Sequence, residues 1–92
     1  MTLTAQAVVV RRSEPLSASV DDELVMLDPK ASRYFGLDRI GRRIWDLIEE
    51  PVSVAALCTA LQAEFDVAAE RCIADVSAFL ERLHKAQLVE VL

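Results

Sequence analysis

The pattern of hydrophobic and polar positions along this 92-residue chain changes its period near Asp38. Before Asp38, short apolar and β-branched runs are separated by polar clusters that favour turns, which is typical of strands. The clearest separators are residues 21–22, a pair of aspartates, and residues 28–31, where Pro29 presets φ for a turn. The runs predicted to be strands cover residues 17–20, 23–27 and 32–37, with residues 7–11 as a candidate extra strand. We therefore predict an antiparallel meander of three short strands.

After Asp38, apolar residues recur at the spacing of amphipathic helices. Asp38 is a favourable N-cap for a first helix, and Pro51 marks the end of that helix. Ser53 is a favourable N-cap for a second helix, and a third is predicted from about Ala68 to Lys85. The predicted apolar stripes are Ile40, Ile44, Leu47 and Ile48 in the first helix, Val54, Leu57, Cys58, Leu61 and Phe65 in the second, and Cys72, Ile73, Val76, Phe79, Leu80 and Leu83 in the third.

The order of these elements, with strands first and helices second, predicts an α+β fold in which the helices cover one face of a small antiparallel sheet. Two helices joined by a short turn, with strands attached, indicate a winged helix-turn-helix-like arrangement. Residues 88–91 are expected to add a final strand or an extended tail. The length fits one domain over residues 1–92, with residues 1–15 either flexible or forming an extra strand.

The charge of the chain bears on its choice of partner. A net charge of −5 disfavours nucleic acid, because phosphate binding requires a basic surface. The basic residues of the first half are Arg11, Arg12, Lys30, Arg33, Arg39, Arg42 and Arg43. The strands and the first helix are therefore expected to be locally basic, whereas the C-terminal helices are acidic.

The sequence also bears on cellular location. No stretch approaches the roughly 20 apolar residues of a membrane span, and residues 1–4 lack the basic segment of a signal peptide. Cys58 and Cys72 fall on apolar helix faces with no further Cys or His at ligand spacing, so we expect two buried free thiols. These features predict a cytoplasmic protein without a membrane partner.

Groups suited to catalysis are scarce. His84, the only histidine, falls near the end of the third helix, where a cation suits the helix dipole. The chain has no Ser–His–Asp or Cys–His grouping, no zinc-ligand spacing and no glycine-rich phosphate loop. We predict that the protein is not an enzyme and uses no cofactor or metal; a small catalytic subunit is the alternative for which no residue can be named.

Two kinds of macromolecular partner are open to such a fold. A winged-helix DNA-binding or regulatory module would place basic or amide side chains at the start of its recognition helix, but residues 68–75 carry two acids and one base. A peptide-binding module would instead use a free sheet edge, to which an extended peptide can add as a strand. Residues 32–37 suit that edge, because Tyr34 and Phe35 place large side chains on opposite faces. Which of the two aromatic side chains faces the core stays open.

The stretch from Tyr34 to Ile48, YFGLDRIGRRIWDLI, resembles the sequence pattern of PqqD-type proteins. The second and third predicted helices are similar to that family as well, through VAAL at residues 54–57, FDV at residues 65–67 and CIADVSAFLERL at residues 72–83. The resemblance covers roughly residues 20–91. One departure is Asp38, which stands where the family usually has Asn, and both residues cap helices well.

The resemblance implies a recognition element for ribosomally made, post-translationally modified peptides. In such proteins three strands pack on three helices, and the leader of the precursor docks as an extra strand on the third strand, in the groove with the third helix. The implied role is non-catalytic: the leader is bound and presented to separate enzymes, namely a leader peptidase and a cyclase of a lasso-peptide pathway. A peptide chaperone for pyrroloquinoline quinone biosynthesis is the alternative. A monomer or weak dimer is expected, since a free edge strand can pair with itself.

The resemblance and the predicted stripes together nominate a peptide-binding site. On the strand, the nominated residues are Ser32, Arg33, Tyr34, Phe35, Gly36 and Leu37. On the third helix, they are Cys72, Asp75, Val76, Phe79 and Arg82. The strand is expected to supply backbone hydrogen bonds, Phe79 an apolar wall, and Asp75 and Arg82 polar anchors. Ile73, Val76, Leu80 and Leu83 are predicted to form the inner stripe of the helix.

Overall fold

The computed structural model describes residues 3–12, 16–20, 23–28 and 33–92. Its strands are β1 (Val8–Arg11), β2 (Leu16–Val20), β3 (Glu23–Asp28), β4 (Arg33–Leu37), β5 (Val52–Ser53) and β6 (Val89–Val91). Its helices are α1 (Arg39–Leu47), α2 (Val54–Glu64) and α3 (Ala69–Lys85). The predicted α+β class, with a three-stranded antiparallel sheet followed by three helices, is confirmed.

The predicted meander is the sheet β2-β3-β4, in which both pairs are antiparallel. Its inner face carries the cross-strand pairs Leu24–Leu37 and Met26–Phe35, and Met26 is completely buried. Because successive side chains of a strand point to opposite faces, Tyr34 lies on the outer face, where it is 76% exposed. Phe35 therefore lies on the core side of β4, and Tyr34 lies on the solvent side.

A second sheet, with the order β5-β1-β6, joins the two ends of the chain and was not predicted. Its central strand is β1, whose Val9 pairs with Val52 on one side and Val91 on the other. Val9 is completely buried. The N-terminal strand therefore does not extend the meander, as an extra strand would. It pairs instead with β5, which precedes α2, and with β6, which follows α3.

The helices follow their local signals closely. The Asp38 carboxylate accepts a hydrogen bond from the Gly41 N–H at 2.8 Å, and the Ser53 hydroxyl accepts one from the Ala56 N–H at 3.1 Å, so both predicted N-caps are confirmed. Side-chain oxygens at these positions satisfy N–H groups that a helix start leaves unpaired. Trp45, the only tryptophan, is 4% exposed and packs in the core.

Two residues of the predicted apolar stripes are exposed: Ile40 of α1, which is 42% exposed, and Ile73 of α3. Ile73 is 37% exposed, and the buried stripe of α3 consists of Cys72, Val76, Leu80 and Leu83 together with Ser77. Residues four and eight positions after Cys72 stay on its side of the helix, whereas Ile73 is rotated by about 100°. The inner stripe of α3 therefore starts at Cys72.

Both ends of the chain help to position α3. The Leu3 N–H donates to the Glu81 Oε1 atom at 3.2 Å, and the Ser77 hydroxyl donates to the Leu3 carbonyl at 3.4 Å. After the helix, Gln87 adopts a left-handed conformation with φ 63°, and the Leu88 N–H bonds the Leu83 carbonyl at 3.0 Å. This turn directs the chain into β6. Among the described helices, none has both the length and the apolar content to cross a bilayer.

Candidate functional site

A cavity of about 310 Å³ opens where the end of β4 meets the three helices. It is lined by Gly36, Leu37, Asp38, Ile40, Gly41, Ile44, Leu61, Phe65, Val67, Cys72, Asp75, Val76, Phe79 and Arg82. Most of these side chains are apolar, and the volume is at the lower end of the range for ligand sites. The cavity can therefore hold one or two apolar side chains of a larger ligand.

The strand wall of the cavity is the end of β4. β4 is an edge strand, because the order β2-β3-β4 leaves its second side without a strand partner among the described residues. In an antiparallel pair, every second residue of an edge strand directs its N–H and C=O away from the partner strand. Leu37, 4% exposed, closes the floor below this edge, and Gly36 leaves open space above it. The edge can accept an added strand next to the apolar cavity.

The wall formed by α1 depends on a glycine in its first turn. A Cβ atom on Gly41 would lie 3.3 Å from the Asp38 Oδ1 atom, 3.4 Å from the Leu37 Cβ atom and 3.5 Å from the Phe79 Cε1 atom. The contact with the Asp38 Oδ1 atom is tight, whereas the two carbon contacts lie at the short end of the ordinary range, whose optimum is about 3.5–4.0 Å. A side chain at this position would therefore press mainly on the carboxylate that caps α1.

The wall formed by α3 has a buried floor and an exposed rim. Cys72 and Val76 are 3% and 2% exposed and form the floor, while Phe79 is half-buried. Asp75 and Arg82 are exposed at the rim. The Arg82 guanidinium carbon lies 5.7 Å from the centre of the Phe79 ring, within the range of a cation–π contact.

The five nominated residues of α3 all line the cavity, but the strand residues divide. Gly36 and Leu37 line it, whereas Tyr34 and Phe35 do not. The nomination of these two side chains stays a prediction, and Tyr34 lies on the outer face of the sheet, where it is exposed. Arg33 contributes its backbone to β4, and Ser32 lies outside the described residues.

Several lining residues were missed by the sequence reasoning. They are Asp38, Ile40, Gly41, Ile44, Leu61, Phe65 and Val67, which come from α1, from α2 and from the turn that follows α2. Ile40 gives a structural sign of this role, because it is 42% exposed although it is large and apolar. Phe65 is covered by Arg39, whose guanidinium carbon lies 5.0 Å from the ring centre. Only the fold brings this end of α2 beside α3.

The two free thiols are both buried, and the pKa of one of them is raised. Cys58 and Cys72 are both buried, and Cys72 forms part of the cavity floor. Burial raises the pKa of the Cys58 thiol to about 12, and the hydrogen bond and charge interaction with Cys72 act in the same direction. Thiolate, the reactive form, is therefore negligible at Cys58 near neutral pH. Within the described ranges, no group of three or more His, Cys, Asp or Glu residues could hold a metal ion.

Comparisons with known proteins bear on the family and on the groove. The sequence profile described as coenzyme PQQ synthesis protein D (PqqD) matches residues 23–89. A search of curated proteins gives no match. Among solved structures, the chain is similar to TbiB1, solved in complex with the TbiA(β) leader peptide. The identity is 36% over 88% of this chain and 94% of that chain, with a TM-score of 0.76.

Proposed function

This chain belongs to the PqqD family, and we propose on that premise that it recognises the leader of a ribosomally made precursor peptide. The leader adds as a strand to the free edge of β4, beside α3, and places an apolar side chain in the cavity. The observation that carries the proposal is that the edge of β4, which has no strand partner in the part of the chain that the structure describes, lies next to an apolar cavity. The similarity to TbiB1, a protein solved with a leader peptide, supports it.

Strand addition explains how a domain of this size can bind a peptide. Main-chain hydrogen bonds to β4 provide affinity that does not depend on the guest sequence, and a side-chain pocket provides register. The floor of the pocket is formed by buried residues such as Leu37 and Val76, so little reorganisation is needed when a guest side chain enters. The proposed binding site consists of the backbone of residues 32–37 with the nominated residues of α3.

A binding measurement tests the proposal. The peptide is the labelled leader of a precursor identified in the gene neighbourhood of this protein, and fluorescence anisotropy measures its affinity. We expect Phe79→Ala to weaken binding by about 2 kcal/mol, roughly thirtyfold, because an aromatic wall of the pocket is lost. Ile73→Ala, on the exposed side of the same helix, is the control and leaves affinity unchanged. Absence of binding at tens of micromolar by the unaltered chain would refute the proposal.

A second measurement separates strand addition from other modes of binding. N-methylation of single leader residues removes one N–H at a time. A guest strand loses affinity only at alternate residues, because its other N–H groups point away from β4. A helical or irregular guest has no such alternation, and a profile without it would contradict the proposed mode.

The proposal extends to the role of the bound complex. The domain itself performs no chemistry and, in the cytoplasm, delivers the leader to a leader peptidase and a cyclase of a lasso-peptide pathway. Reconstitution tests this step: the chain should accelerate cleavage of the precursor by the neighbouring peptidase. Acceleration of a radical enzyme acting on its precursor would instead favour pyrroloquinoline quinone biosynthesis.

A further inference from the structure

The rim of the cavity carries a charge opposite to that of the whole chain. The chain has a net charge of −5, yet both carboxylates that line the cavity are already engaged. Asp38 accepts the Gly41 N–H at 2.8 Å as a helix cap, and the Asp75 Oδ2 atom lies 3.5 Å from the Arg71 Nε atom. Both carboxylates keep their negative charge, but Arg39, Arg71 and Arg82 outnumber them by three to two, so the rim has a small positive excess.

Two arginines supply that positive charge in the same way. Arg82 lies over Phe79 at 5.7 Å, Arg39 lies over Phe65 at 5.0 Å, and both rings line the cavity. Neither guanidinium has a carboxylate partner among the described residues. Stacking on a ring uses the face of a guanidinium and leaves the N–H groups at its edge free to donate. Each of the two phenylalanine rings is thus covered by an exposed guanidinium group whose N–H groups can donate hydrogen bonds to a guest.

We infer that the groove selects acidic peptides, in which carboxylate side chains flank the apolar side chain that enters the cavity. The apolar side chain packs between Phe65 and Phe79, while the flanking carboxylates accept hydrogen bonds from Arg39 and Arg82. Guanidinium and carboxylate groups match in bidentate geometry, and like charge at the rim disfavours basic peptides. This inference rests on the proposed function and adds to it the chemical class of the preferred peptide.

A selection experiment with a random peptide library displayed on messenger RNA tests the inference without knowledge of the natural leader. The full chain is the bait, and the selected peptides are sequenced. We expect Asp and Glu to be enriched on both sides of an apolar position. The Arg39→Glu/Arg82→Glu chain should select Lys and Arg at the same positions, because both substitutions change exposed side chains and reverse the charge at the rim.

Direct binding of one selected peptide then measures the effect of each charge. Arg82→Gln should lower the affinity for the acidic peptide by about 3- to 10-fold. It should not change the affinity for the isosteric peptide in which Asn and Gln replace Asp and Glu. Arg12→Gln is the matched control, since it removes the same charge from an exposed residue that does not line the cavity, and we expect less than about a 2-fold change. The preference for the acidic peptide over its isostere should also vanish at about 1 M salt, where the Debye length is about 3 Å.

The outcomes separate the two proposals. Apolar peptides that bind with the alternating N-methylation profile but show no enrichment of acids would overturn the inference and leave the proposed function standing. A library that yields no binding peptide would overturn the proposed function and the inference together. Displacement of a selected peptide by duplex DNA at physiological salt would overturn the preference for peptides and assign the cationic rim to nucleic acid.

Discussion

Substituting alanine for each of the two glycines of the chain in turn measures how close packing around a new Cβ atom affects stability at the cavity. Both glycines line it, but a Cβ atom at Gly36 would meet nothing within 4 Å, whereas one at Gly41 would meet three atoms at 3.3–3.5 Å. Neither residue has a positive φ, so no backbone strain enters the comparison. The two substitutions are chemically identical and differ in what surrounds them.

The expected magnitudes follow from these distances. Gly36→Ala should raise the free energy of unfolding by about 0.5–1 kcal/mol, because glycine within a strand loses more backbone entropy on folding than alanine. Gly41→Ala gains about 1 kcal/mol from helix propensity. It must also move the Asp38 Oδ1 atom, which would lie at 3.3 Å, by a few tenths of an ångström, and overpacking of this kind costs about 1–3 kcal/mol. We expect a net destabilisation of about 0–2 kcal/mol for Gly41→Ala.

Urea denaturation followed by fluorescence measures both values. Trp45 is the only tryptophan and is 4% exposed, so its emission reports the loss of the core. For a domain with about 5–10 kcal/mol of stability, the predicted gap of about 0.5–3 kcal/mol between the two variants is read from the difference between their urea midpoints. Equal shifts for Gly36→Ala and Gly41→Ala would refute the argument that a Cβ atom at position 41 presses on the Asp38 cap.

Three further predictions concern the stability of the helical half. Leu80→Ala, at a completely buried position, should lower the free energy of unfolding by about 2–5 kcal/mol. Ile73→Ala on the same helix should change that free energy by less than about 0.5 kcal/mol. Equal losses for the two variants in urea titrations would contradict the observed buried stripe of α3. Gln87→Gly should raise the melting temperature through a gain of about 0.5–1 kcal/mol, because φ is 63° there, and a fall would show that the Gln87 side chain stabilises the turn. Burial raises the pKa of Cys58 in the folded state from 9.0 to about 12. The contribution of the protonated thiol to the free energy of unfolding is therefore fully present below pH 9 and is lost as pH rises towards 12. In Cys58→Ala, the free energy of unfolding should therefore fall less steeply between pH 9 and pH 12 than in the unaltered chain. An equally steep fall in urea titrations would show that other groups cause the loss of stability.

The second sheet connects stability with the proposed binding site. β1 lies between β5 and β6, and Leu3 is hydrogen-bonded to Ser77 and Glu81 on α3. The residues of α3 that line the cavity are on the same helix as these contacts. The N-terminal segment thus helps to hold one wall of the groove, although it lies before residues 23–89, which match the family profile.

Much of the local structure could be predicted because short-range physics decides it. The change of period at Asp38, the caps at Asp38 and Ser53 and the order of strands and helices all depend on neighbouring residues, and the structure confirms them. The free edge of β4 was predictable too, because a three-stranded meander leaves its last strand with one unpaired side. The five residues of α3 that line the cavity share one helical face, so spacing alone was sufficient to group them.

Other features depend on contacts between residues that are distant in the chain, and only the tertiary structure decided them. Alternation places Tyr34 and Phe35 on opposite faces of β4, but the location of the helices determines which face is the core. The sheet β5-β1-β6 forms from segments that carry too little local signal to reveal their pairing. The cavity gathers residues from four parts of the chain, and its rim includes Arg39 of α1 stacked on Phe65, which follows α2. The second stacked pair, Arg82 on Phe79, lies within α3, where a spacing of three residues places both side chains on one face. The sequence by itself therefore determined the elements and the available edge, while the tertiary structure decided which side chains form the groove and which charge it presents.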